Sequence, residues 1–162
     1  MPTLHELNFA RKWLELALQE NKLAHYIIGV PPYAKTEPGT DGFPSPILLP
    51  NLICLYDYAG NHEGFAQQVE ATLLQTIEDA ADNGMVLSAA LVFLNLQLSR
   101  ELAGTAGFRL DCAGLLRAVY RAISEHCAGF DKAARSNLRF QTSGYFISKL
   151  MERESILPPD LL

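Results

Sequence analysis

The sequence predicts an all-α, single-domain bundle of five or six helices, with a long Pro/Gly-rich loop after the first. Apolar residues recur at helical spacing in separate stretches, several of them opened by Thr, Asn or Asp where a helix cap belongs. Gly29, Pro31, Pro32, Pro38, Gly39, Gly42, Pro44, Pro46 and Pro50 crowd one interval and rule out a long regular element there. Beyond residue 60 the links are short, which favours antiparallel helical neighbours. A length of 162 residues fits one domain with a real core.

Taken in order, Thr3-Leu4-His5-Glu6 has the form of a capping box, in which threonine and glutamate each satisfy the other's backbone N–H. The helix it opens runs to about Leu23, with Leu4, Leu7, Ala10, Leu14, Ala17 and Leu18 on one stripe. The irregular loop spans 29–50. His25 to Val30 can be read as a short strand, and Asn51 to Tyr58 as a strand or a helical turn. Asn61 is placed to cap a second long helix, about His62 to Ala81, stopped by Asp82-Asn83-Gly84. Met85 to Leu98, the most apolar stretch, is too short and too interrupted by Ser88, Asn95 and Gln97 to span a bilayer, and it reads as the body of a core helix, Met85 to Leu102. Asp111 opens a helix of about Cys112 to Ala128, with Gly129 in the left-handed stop position. Asp131 caps a short helix, and Ser143 is the candidate cap of the last one before Pro158-Pro159.

Charge is segregated along the chain. The 64 residues between Lys35 and Arg100 contain no lysine or arginine and eight carboxylates: Glu37, Asp41, Asp57, Glu63, Glu70, Glu78, Asp79 and Asp82. From Arg100 to Glu154 nine basic residues stand against six acidic ones, and the whole chain carries −5. A surface of one sign steers partners of the other. Projected on a helix, Phe65, Ala66, Val69, Leu73, Ile77 and Ala80 form the core face of the second long helix. Glu63, Glu70, Glu78 and Asp82 fall opposite, with Leu74 among them four residues from both Glu70 and Glu78. An apolar side chain ringed by carboxylates has the form of an interface anchor with a charged rim. The candidate partner-binding residues are therefore Asp57, Glu63, Glu70, Leu74, Glu78 and Asp82.

Several chemistries find no motif. His5, His25, His62 and His126 lack mutual ligand spacing, and no cysteine pair has the C-x-x-C form, so neither metal nor cofactor is expected. Gly104-Thr105-Ala106-Gly107 is too short for a phosphate loop and lacks the lysine. Cys112 and Cys127 on one helix lie roughly 22 Å apart at ~1.5 Å per residue, far beyond disulfide reach. The N-terminus shows no secretory pattern, so a cytoplasmic protein with buried thiols is expected. The acidic total argues against membrane attachment and against nucleic acid as a partner.

One local pattern points elsewhere. Arg121-Ala122-Ile123-Ser124-Glu125-His126 has R-x4-H spacing and in those six residues resembles the HEPN superfamily of all-α ribonucleases. The resemblance implies Arg121 and His126 acting on an RNA phosphodiester, with Arg117, Lys132, Arg135 and Arg139 available to phosphates. The leading expectation is instead a non-enzymatic binding module that captures a basic protein on its acidic helix, as a bacterial immunity protein captures a toxin. The alternatives are the ribonuclease and a homodimer in which the acidic segment meets the basic C-terminal helices of a second copy.

Overall fold

The structure is a computed structural model in which residues 2–28, 48–160 and 162 are described. It is all-helical, with no strand among the described residues. The helices are α1 (Leu4–Gln19), α2 (Leu23–Ile28), α3 (Leu48–Asn61), α4 (Phe65–Asp79), α5 (Gly84–Leu102), α6 (Cys112–His126), α7 (Lys132–Thr142) and α8 (Tyr145–Glu154). A 3-10 turn, Cys127–Gly129, joins α6 to α7.

The eight helices among the described residues exceed the five or six expected, and the excess comes from both sides of the proline-rich interval. Leu23–Ile28 is a helix rather than the end of the first one, because the chain breaks at Asn21, whose φ is 55°. The helix also replaces the short strand expected from His25 to Val30 over its described part, residues 25–28. Leu48–Asn61 is a full helix, and Pro50 is tolerated in its first turn because that turn has no intrahelical N–H to lose. Most of the expected 29–50 loop, residues 29–47, lies outside the described residues; 48–50 belong to α3.

The helix α5 organises the rest. It is apolar on all sides, with Val86, Leu87, Leu91, Phe93 and Leu94 fully enclosed, and it packs against α2, α4, α6, α7 and α8. By length and composition it is the one helix among the described residues that could cross a membrane, and half of that stretch is buried inside the protein. The N-terminal α1 lies on α2 and α3 through Ala10, Leu14 and Ala17. Leu4, expected on that stripe, is 75% exposed because it sits in the first turn, beyond the edge of the packed face.

Local signals explain several of the helix starts. The capping box forms: Glu6 N–H donates to Thr3 Oγ1 at 3.2 Å and Thr3 N–H to Glu6 Oε2 at 2.8 Å. Asp111 and Asp131 accept from Gly114 and Ala134 N–H at 3.0 and 2.7 Å, opening α6 and α7. Three expected caps are placed differently. Asn61 ends α3, its amide donating to Asp57 O at 2.7 Å, and α4 starts after Gly64 in the left-handed region at φ 80°. Gly129 is not left-handed, because a 3-10 turn tightens the end of α6 instead. Ser143 closes α7, its hydroxyl donating to Phe140 O at 2.7 Å.

The cap that α8 lacks in its own sequence comes from α5. Asn95 Oδ1 accepts from Ile147 N–H at 3.1 Å, and its amide donates to Gln141 O at 3.2 Å and Leu91 O at 3.3 Å. Gly144 makes room for it, since a Cβ there would meet the Asn95 amide atoms at 2.8 Å.

A second polar side chain of α5 holds the loop 103–111. Gln97 is 0% exposed; it accepts from Tyr56 Oη and donates to Phe108 O and Glu101 Oε1, each at 2.8 Å. The Arg100 guanidinium lies 4.1 Å from the Tyr56 ring centroid and donates to Thr105 O at 3.2 Å. Gly107 passes so close to α3 that a Cβ would fall 2.6 Å from Tyr56 O.

Replacing Asn95 by alanine is expected to cost about 1–3 kcal/mol, because it orphans the Ile147 N–H at a partly buried helix end. Ser143→Ala should stay within about 0.5 kcal/mol of wild type. Urea unfolding of the two variants side by side reads the difference, and equal midpoints would remove the cross-helix cap from the account.

Candidate functional site

The six sequence-nominated residues distribute around α4 rather than along it. The helix begins at Phe65 and ends at Asp79, so Glu63 lies in the turn before it and Asp82 in the turn after, both exposed. On the helix itself Phe65, Val69, Leu73, Thr76 and Ile77 are buried against the bundle, and Glu78 and Asp79 are exposed. Leu74 is 40% exposed, a partly open apolar position on the solvent side. Asp57 lies on α3 and makes an ion pair with Arg11 of α1 at 3.4 Å, both side chains more than half exposed. An exposed pair of this kind contributes about 0–1 kcal/mol.

Glu70 differs from the others. It is half-buried at the border of α4's packed face, and its Oε2 accepts from Asp111 N–H at 3.1 Å. That bond ties the acidic helix to the residue that caps α6, so Glu70 has a structural role beside any recognition role. Asp79 also has a local partner, accepting from Gln75 Nε2 at 2.8 Å. Among the described residues, Glu63, Glu78, Asp79 and Asp82 have no lysine or arginine within ion-pair distance. Glu78 and Asp79 sit in the last turn of α4, where the helix dipole presents its negative end and no basic residue offsets it.

The basic half of the chain does not fold back to neutralise this face. Arg153 pairs with its neighbour Glu154 at 3.2 Å, while Arg117, Arg135 and Arg139 donate to the backbone oxygens of Glu154, Ala128 and Leu162. Arg121 is exposed and lines a shallow cleft between α6 and residues 156–160 that includes Arg117, Tyr120 and Ser124. His126 does not line that cleft. It lies half-buried at the end of α6, with Nε2 3.9 Å from Glu125 Oε2. Among the described residues no three His, Cys, Asp or Glu side chains gather in a way that could hold a metal ion.

The cysteines are all buried. Cys54 Sγ donates to Leu7 O at 3.3 Å, joining α3 to α1. Cys112, enclosed at the start of α6, has its thiol pushed up to about 12, chiefly by burial and then by the negative charges of Glu101, Asp111 and Glu70. Burial likewise raises Tyr26, Tyr56 and Tyr120.

An apolar stripe on the outer side of α1 escaped the sequence reading. Phe9, Trp13 and Leu16 are each 44% exposed, and the Phe9 and Trp13 rings meet edge-on at 6.5 Å. Their i, i+4, i+7 spacing was the available signal. No family model matches the chain, and neither a curated protein nor a solved structure was found to match it.

Because the folded state holds the Cys112 proton more tightly than the unfolded chain, its contribution is intact below the ordinary thiol value near 9. It is lost as pH rises from there toward about 12. The urea midpoint should therefore fall between pH 8 and pH 10.5, and fall less steeply in Cys112→Ala. Parallel pH profiles for the two proteins would contradict the assignment.

Proposed function

We propose that this chain is a non-enzymatic protein-binding module of the cytoplasm whose acidic face captures a basic partner. The observation that carries the reading is the run of exposed carboxylates without a basic partner, Glu63 before α4, Glu78 and Asp79 in its last turn and Asp82 after it, on a helix whose Leu74 is half-open to solvent. A charged face without its own counter-ions gives up local stability. The missing i,i+4 cation pairs forgo a few tenths of a kcal/mol each, and carboxylates at a helix C-terminus cost about 0.3–1 kcal/mol each. A cationic partner returns both, and the field raises its encounter rate. Leu74 supplies the apolar contact at the centre, with Asp57 and Glu70 at the margin, both already engaged within the chain.

Bacterial immunity proteins are the class that this combination suits. Nuclease toxins carry basic, phosphate-binding clefts, and a folded acidic plug can occlude such a cleft without chemistry of its own. A second reading is self-association, with the acidic face of one copy on the basic C-terminal helices of another. It is favoured by the arginines and lysines after residue 100, of which only Arg153 pairs with a carboxylate among the described residues. The two readings separate on native mass at low and high salt: a foreign-partner module stays monomeric at both.

Capture from the source cells with the wild-type chain should retain a basic protein that high salt releases. The Glu63→Lys/Glu78→Lys/Asp82→Lys variant should fail to retain it. With the partner purified, the association rate constant of that variant should drop by about ten- to a hundredfold with the fold intact. Glu70 is left untouched so that the loop it anchors is preserved. Rate constants that match wild type would take the acidic face out of the mechanism.

A further inference from the structure

Away from the acidic face, the C-terminal end of α5, the loop 103–111 and α8 enclose a groove of about 710 Å³. Its volume lies within the range that holds small organic ligands. Leu98, Leu102 and Phe146 make an apolar wall, and Leu102 is 74% exposed at its edge. Arg109, Lys149 and Arg153 also line it, reached from the loop and from successive turns of α8.

Two of those cations have no carboxylate partner among the described residues. Arg109 makes no ion pair, and Lys149 has only the Tyr145 ring, its Nζ 5.6 Å from the centroid. The lining also includes Glu101 and Glu152. Glu101 Oε1 is already occupied by the Gln97 amide and, at 3.2 Å, by Leu110 N–H. Arg153 is paired with Glu154 at 3.2 Å, so the charged groups of the groove not already engaged within the chain are Arg109 and Lys149 against Glu152, one positive charge in excess. That balance fits a single negative charge better than a phosphate dianion or a polyacidic chain, whose further charges would meet Glu101 and Glu152.

We propose that this groove binds an amphiphilic monocarboxylate, its apolar chain on Leu98, Leu102 and Phe146 and its carboxylate between Arg109 and Lys149. The proposal is independent of the acidic face, which the groove residues do not form.

The test is calorimetric titration of the full chain with decanoate, decylammonium and poly-glutamate. Decanoate should saturate one site, and decylammonium should bind at least about tenfold more weakly. Arg109→Glu/Lys149→Glu, both exposed positions, should weaken decanoate by about tenfold or more with an unchanged helical spectrum. Glu152→Gln should tighten it, a gain that damage to the fold would not produce. Equal binding of decanoate and decylammonium, no saturable binding, or affinities unmoved in both variants would overturn the proposal. Binding of poly-glutamate without decanoate would overturn it in favour of a docking surface for an acidic chain.

Discussion

The loop that leads into α6 depends on one enclosed amide. Gln97 sits in the otherwise apolar α5 with no solvent access, where an unbonded amide would cost several kcal/mol. Both of its N–H groups and its oxygen are used, which turns that liability into a three-way tie between α3, α5 and the loop 103–111. Asn95, two residues earlier, does the same for the junction of α7 and α8. The central helix thus supplies apolar packing on most of its surface and directional bonds at the two places where the chain turns.

These ties also sort the carboxylates. Glu70 and Glu101 each accept a backbone N–H from the loop, at Asp111 and Leu110, and their charge is spent holding α4 and α5 to the start of α6. The burial of Cys112 among them is the cost, visible in its raised thiol. Glu63, Glu78 and Asp82 do no such internal work, so their charge faces outward. The distinction separates residues whose replacement disturbs folding from residues whose replacement changes only the surface potential.

Signals contained within four residues were legible in the sequence: the Thr3–Glu6 box and the caps at Asp111 and Asp131 form as the pattern implies. Signals settled by distant residues were not. Ser143 is a good cap in isolation, but Asn95 reaches α8 from 52 residues away in sequence. Asn61 looked like a helix start because α3 was hidden by Pro50 and by the aromatic and β-branched residues Ile53, Tyr56 and Tyr58. The core face of α4 was readable from its period. The double role of Glu70 was not, since its partner lies 41 residues on. The groove was invisible for the same reason, being assembled from α5, a loop and α8.

Gly107 connects surfaces that have no direct contact. A Cβ there would meet the Tyr56 carbonyl oxygen at 2.6 Å, so no larger residue fits without moving the backbone, and Phe108, Arg109, Leu110 and Asp111 follow directly. A side chain at 107 would push the whole strap outward, withdrawing the Arg109 cation from one surface and loosening Glu70's hold on Asp111 beneath the other. A mutational scan read out on either surface should therefore register this glycine as sensitive although it carries no charge and no functional group. Its apparent importance would reflect mechanical linkage between two faces, not membership of either.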